Sequence, residues 1–311
     1  MDAVALIIIY NHQYNKNIEI LEQIYKDRFS HIYHLVPFYQ GEKNNVIPVY
    51  ENSLYFQGYV AQGLKSFFKQ EFCHYIFIAD DLILNPALNE SNYQEILHLK
   101  EHTCFLPGFI SLHECREDQW WQRVSEAFHY RVNVFGIEAN NQIPSYDEAL
   151  KKFENNHLEI KPLSFYQIWK RPVSFVHDIK RMLRDKQYLI AKLKYLTGVR
   201  DYHLSYPVVG SYSDIFVVSS DAIKPFCHFC GVFAATRLHV EVGLPTALVL
   251  SAQEIVTEED LKLKGKALWD RSEYKILDRY EYKLSALLAG FPENLLYLHP
   301  IKLSKWNIDY E

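Results

Sequence analysis

The chain has 311 residues, 49% of them hydrophobic and 23% charged, with a formal net charge of −5. That length buries a substantial core in one large domain or two smaller ones. The acidic balance argues against a nucleic-acid binder, which would carry a basic footprint.

Met1-Asp2-Ala3-Val4-Ala5-Leu6-Ile7-Ile8-Ile9-Tyr10 lacks a basic leader, and its apolar run is too short for a secretory signal. Ala3 to Tyr10 reads as a first buried strand, followed by the polar loop Asn11 to Asn17. Ile18 to Asp27 carries Ile20, Leu21, Ile24 and Tyr25 at helical spacing. His31 to Phe38 and Asn45 to Tyr50 read as strands, Ser53 to Lys69 as a helix, and Glu71 to Leu84 as a strand interrupted by acids. Within this stretch Glu51-Asn52-Ser53-Leu54-Tyr55-Phe56-Gln57-Gly58 looks like a protease tag, but it fits the surrounding pattern and is read as native. Strands separated by helices of this length imply a parallel sheet with right-handed crossovers.

From Ser111 to Tyr206 the alternation is lost, and this stretch reads as a mainly helical insertion over the sheet. Strand character returns at Ser211-Tyr212-Ser213-Asp214-Ile215-Phe216-Val217-Val218. Phe226 to Leu250 reads as helical in part, with a break at Gly243-Leu244-Pro245, and Glu273 to Leu288 as a further helix. The expected organisation is an α/β half over 1–110, an acceptor subdomain over 111–205, and the rest of the α/β domain over 206–311. The fold class expected is a Rossmann-like, mostly parallel sheet flanked by helices.

Five scattered cysteines do not suggest a disulfide framework. Cys227-His228-Phe229-Cys230 has C-x-x-C spacing, and His239 lies near enough to keep a metal site open, but without four ligands packed thiols are the preferred reading. No apolar run approaches the roughly 20 residues needed to span a bilayer, so the expected location is cytoplasmic. Residues 175–200 carry Lys180, Arg181, Arg184, Lys186, Lys192, Lys194 and Arg200 against Asp178 and Asp185. A basic amphipathic helix there suits peripheral contact with an anionic membrane, and a solvated basic face over the core is the alternative.

The chemistry concentrates at His74-Tyr75-Ile76-Phe77-Ile78-Ala79-Asp80-Asp81-Leu82. A buried strand ending in two acids presents oxygen ligands at the rim of a sheet, where open α/β sheets bind ligands. Mn²⁺ or Mg²⁺ is the cation expected there, carrying substrate phosphates with it, a turn with solvated acids being the alternative. Near the other end stands His299-Pro300-Ile301-Lys302-Leu303-Ser304-Lys305-Trp306. The acidic strand and this tail together resemble the GT-A-type glycosyltransferases, the tail being similar to that of the glycogenin and lipopolysaccharide galactosyltransferase group. The resemblance covers the order of elements across most of the chain, but its motifs are short, and Asp80-Asp81-Leu82 departs from a strict Asp-x-Asp. It implies that Asp80, Asp81 and His299 hold the metal and that Lys302 contacts the diphosphate of a nucleotide-sugar donor; if Asp80 points into the sheet, Asp81 alone reaches the metal, aided by Asn85. It also implies a glycan or lipid-linked glycan acceptor and a setting in bacterial surface-polysaccharide assembly.

At the end of the first strand Tyr10, Asn11 and His12 are the expected base or ribose contacts, an ordinary polar loop being the alternative. Neither G-x-G-x-x-G nor a P-loop motif occurs, which disfavours dinucleotide and P-loop chemistry. An inverting transferase needs a general base near the acceptor hydroxyl. Glu241 is the base candidate and Asp214 a catalytic-site contact to acceptor or sugar. Structural pairing, for instance with Arg237, is the alternative for either one. Two other functions remain open: a nucleotidyltransferase, which would use the same acidic strand, and a non-catalytic carbohydrate-binding or scaffold protein.

Overall fold

The computed structural model describes residues 3–11, 14–113, 127, 130–161, 179, 183, 189–190, 193, 196–197 and 204–308. The first third holds β1 (Ala3–Ile9), α1 (Asn15–Tyr25), β2 (Ile32–Pro37), β3 (Val46–Val49), α2 (Gln57–Phe67), β4 (Phe72–Ala79), β5 (Ile83–Leu84) and α3 (Tyr93–Ile96). Next come β6 (Thr103–Leu106), α4 (Tyr146–Asn155), β7 (Ile215–Ser219), α5 (Ile223–Ala235) and α6 (Val240–Ser251). The chain then runs through β8 (Glu254–Thr257), β9 (Lys264–Ala267), α7 (Arg271–Tyr274), α8 (Leu284–Ala289) and β10 (Leu295–His299).

Seven strands form one sheet in the order β3-β2-β1-β4-β7-β6-β8, and three form a second, β5-β10-β9. In the large sheet β7 runs antiparallel to its neighbours β4 and β6, and every other pairing is parallel. The fold is α/β, with a mostly parallel central sheet flanked by helices. Parallel strands buried on both faces need apolar residues on both, which explains the unbroken Ala-Val-Ala-Leu-Ile-Ile-Ile of β1. Ala5, Ile7 and Ile9 enter one core with α2, α5 and α6. Val4, Leu6 and Ile8 enter the other, with α1, α8 and β10. The central crossing is closed by Phe77 of β4 stacked on Phe216 of β7, centroids 4.6 Å apart.

Several boundaries differ from the sequence reading. The acidic strand does not run on to Leu84: it ends at Ala79, the chain turns with Leu82 N–H donating to Ala79 O (3.1 Å), and Ile83–Leu84 pairs with β10 instead. The break expected at Gly243–Pro245 falls earlier, at residues 236–239, where Arg237 adopts φ 62°. Pro245 sits inside α6. A proline leaves the carbonyl four residues before it without a helical donor. That carbonyl, Glu241 O, accepts from Ser211 N–H at 2.9 Å, so the missing helical bond ties α6 to the segment leading into β7. The helix expected over Glu273 to Leu288 is two short ones, separated where Glu281 and Tyr282 take positive φ.

The tag-like segment is integral to the fold: Gln57 is fully buried and its amide donates to Leu238 O at 2.7 Å. Cys227 and Cys230 are free thiols buried in α5, and burial raises the pKa of both. His239 faces Leu54 O and Glu241, at 3.2 and 3.3 Å. The 175–200 basic helix lies largely outside the described residues, as does much of 111–205. Among the described residues no helix is long and apolar enough to cross a membrane.

Candidate functional site

Parallel strands deliver their carboxyl ends to one rim, so β1 and β4 bring Asn11 and Asp80–Asp81 side by side. Asp80 N–H donates to Ile9 O at 2.9 Å. Because β7 runs the other way, its starting end meets the same rim, and Ala79 N–H donates to Asp214 O at 2.8 Å. The C-terminal tail is stitched to the turn after β4. Asn85 N–H donates to Leu296 O (2.8 Å), Asn85 Nδ2 to Leu295 O (2.7 Å), and Ile301 N–H to Asp81 O (2.6 Å). These bonds set His299 and Lys302 beside acids more than two hundred positions earlier in the chain.

A pocket of about 240 Å³ opens here, and Asn11, Tyr14, Asn17, Asp80, Asp81 and Lys302 are among the residues that line it. Asp80 is 6% exposed and accepts from Asn17 Nδ2 at 3.2 Å. Burial first, then the charge of Asp81, push its carboxyl up to about 7. The hydrogen bonds from Asn17 and the Asn11 backbone offset only part of this. Asp214 is likewise raised to about 6 by burial, with Asp81 and Glu241 adding to the shift and His299 opposing it.

His299 joins the acids. Its Nε2 lies 3.0 Å from Asp81 Oδ1 and 4.0 Å from Asp214 Oδ1, and its Nδ1 is hydrogen-bonded to the Tyr212 hydroxyl. Burial opposes the imidazolium, but the carboxylates, Asp81 foremost, raise its pKa overall. The approach to Asp81 is close without the alignment of a hydrogen bond. Among the described residues Asp81 Oδ1 is buried with no hydrogen-bond partner. Its neighbour is the His299 ring nitrogen, which pairs with it when protonated and, when neutral, is close enough to share one cation with it.

Among the described residues no group of three or more His, Cys, Asp or Glu side chains that could hold a metal ion is found. The fit therefore rests on Asp81 and His299, with Asp80 behind them. That is a small donor set, in keeping with cations held by one or two carboxylates plus substrate phosphates and water rather than by an all-protein cage.

The other candidates are placed as follows. Tyr10 does not line the pocket: it is fully buried and its hydroxyl bonds His34 Nδ1 at 2.9 Å, because the residue directly after β1 points into the core. His12 lies outside the described residues. Asn85 is structural, its Oδ1 accepting from Ala87 N–H at 2.9 Å, and so is not free to assist at a metal. Glu241 stands on the first turn of α6, half-buried and 3.3 Å from His239 Nε2. Its suggested partner Arg237 pairs with Glu51 instead, at 2.8 Å. Sequence reasoning missed Tyr14, Asn17 and Tyr212. The first two sit in the polar loop after β1 and at the start of α1, and Tyr212 lies two residues before Asp214; none is a metal-ligand type.

Comparison with protein-family models and with curated protein sequences finds no match.

Proposed function

We propose that the protein is a metal-dependent glycosyltransferase of GT-A-like fold, moving a sugar from a nucleotide-sugar donor to a glycan or lipid-linked glycan acceptor. The observation that carries this reading is that Asp80, Asp81 and Lys302 line one rim pocket while His299 stands 3.0 Å from Asp81 and 4.0 Å from Asp214 beside it. A sheet with a single antiparallel strand, and a small second sheet that delivers the C-terminal tail to that rim, are compatible with it.

In this reading Asp81 and His299, supported by Asp80, hold Mn²⁺ or Mg²⁺ together with the donor diphosphate. The cation supplies charge neutralisation on the departing diphosphate. Lys302 adds a fixed positive charge on the pocket wall, the preorganised electrostatic contribution that dominates much of catalysis. Asn11, Tyr14 and Asn17 flank the nucleoside. Tyr212 fixes the orientation of the His299 ring, as partners of ligating histidines do. The acceptor oxygen attacks the anomeric carbon as the bond from that carbon to the diphosphate oxygen breaks. In an inverting reaction Glu241 takes the acceptor proton, with Asp214 contacting the acceptor or the transferred sugar.

The test is release of nucleoside diphosphate from a panel of nucleotide sugars with Mn²⁺, Mg²⁺ or chelator. The expected result is metal-dependent release from one donor by the wild type and none by Asp81→Ala. Absence of release from every donor, or release unaffected by chelator and by the substitution, would contradict the proposal.

A further inference from the structure

Trp269 follows β9 and is 70% exposed, yet it is held firmly beside the site. Its backbone N–H donates to Glu273 Oε2 at 2.6 Å, and the preceding Leu268 N–H donates to His299 O at 2.7 Å. The indole meets the Tyr212 ring edge to face, centroids 6.1 Å apart and planes at 89°. Tyr212 in turn stacks on Tyr297 at 6.1 Å and 7°, and hydrogen-bonds His299. A lone exposed tryptophan needs no explanation by itself. This one forms the outer step of an aromatic ladder whose next member touches the candidate metal ligand.

Trp269 does not line the pocket formed by Asn11, Tyr14, Asn17 and Lys302. It is reached through Tyr212, which hydrogen-bonds the same His299 ring that lies 4.0 Å from Asp214. An indole face carries negative quadrupole charge and a large apolar area. A pyranose ring offers it a flat face of polarised C–H bonds, with hydroxyls at the edge for carboxylate acceptors such as Asp214.

We propose that Trp269 is the acceptor platform, binding the apolar face of a pyranose ring; this rests on the transferase reading above. The experiment is saturation-transfer difference NMR with lactose, maltose, cellobiose and mannobiose, each with nucleoside diphosphate and Mn²⁺ present, on wild type, Trp269→Ala and Trp269→Phe. Nucleoside diphosphate binding is measured by calorimetry on the same three proteins. The expected result is that at least one disaccharide binds the wild type, binds Trp269→Ala about tenfold more weakly, and binds Trp269→Phe nearly as well as wild type. Diphosphate affinity should be equal in all three. Unchanged disaccharide binding by Trp269→Ala, or no disaccharide bound by a wild type that does bind diphosphate, overturns the platform alone. A wild type that binds no nucleoside diphosphate overturns the transferase reading and the platform with it.

Discussion

Replacing Asp80 with asparagine should stabilise the metal-free protein at neutral and alkaline pH while leaving its stability in acid unchanged. The folded chain holds this carboxyl at about 7, chiefly through burial and then through Asp81. In the unfolded chain it titrates at about 3.9. Between those values the folded state keeps a proton that the unfolded state has released, so stability falls as pH rises through the window, and above it the whole cost is present. At about 1.4 kcal/mol per pH unit the separation corresponds to about 4 kcal/mol, an upper figure because Asp81 and nearby water relax around the charge. The asparagine amide would have nothing to ionise, and its carbonyl would still accept from Asn17. The assay is denaturant unfolding of both proteins in chelator from pH 4 to pH 8.5. The expected difference is near zero at pH 4 and grows to a few kcal/mol in favour of the variant at pH 8.5. A difference independent of pH, or a variant less stable at pH 8.5, would refute the assignment of a strained carboxyl. The same substitution should weaken Mn²⁺ binding, the usual exchange between stability and a charged functional site.

Tyr212→Phe removes the hydroxyl on His299 Nδ1 and should lower Mn²⁺ affinity about 10–100-fold by titration calorimetry, with a loss of about 1–3 kcal/mol in denaturant unfolding because the buried ring nitrogen is left without its partner. Mn²⁺ affinity of the wild type should rise from pH 6 to pH 8, because the cation competes with the proton that the carboxylates favour on His299; a flat profile would remove His299 from the metal site. Lys302→Ala should raise the KM for the nucleotide-sugar donor, leave Mn²⁺ binding in the absence of nucleotide unchanged, and weaken the response of donor affinity to salt. Asn85→Ala leaves Leu295 O without its side-chain donor and should cost about 1–3 kcal/mol in denaturant unfolding.

The first half of the sheet was legible because β1 and β4 are buried along almost their whole length and appear as largely apolar runs, with amphipathic helices between the strands. The acidic pair was legible for the same reason: two carboxylates directly after such a run belong at its carboxyl end, and β4 does end there. Less could be read where partners are distant. Ile83–Leu84 looks like more of β4 until β10, contributed by Leu295–His299, takes it into another sheet. The breaks after α5 and before α8 fall at Arg237, Glu281 and Tyr282, whose positive φ is set by tertiary packing and not by glycine. Pro245 reads as a helix stop, yet α6 continues through it because Ser211 supplies the donor that the helix lacks. At the site, Tyr10 was named by its position after β1, but alternation sends its side chain to His34. Tyr212 and Trp269 escaped notice because they act through ring contacts and a hydroxyl, which leave no spacing signature in a chain with 23 tyrosines.

The central claim is that the rim pocket binds a nucleoside diphosphate through a divalent cation on Asp81 and His299. Its most direct test is thermal unfolding of wild type and Asp81→Ala with each common nucleoside diphosphate, in Mn²⁺ and in chelator, since a ligand that binds the folded state raises its midpoint by mass action. A rise with one nucleotide that requires Mn²⁺ and disappears in the variant is the result predicted. Midpoints unmoved by every nucleotide at millimolar concentration, or moved equally in chelator and in the variant, would contradict it.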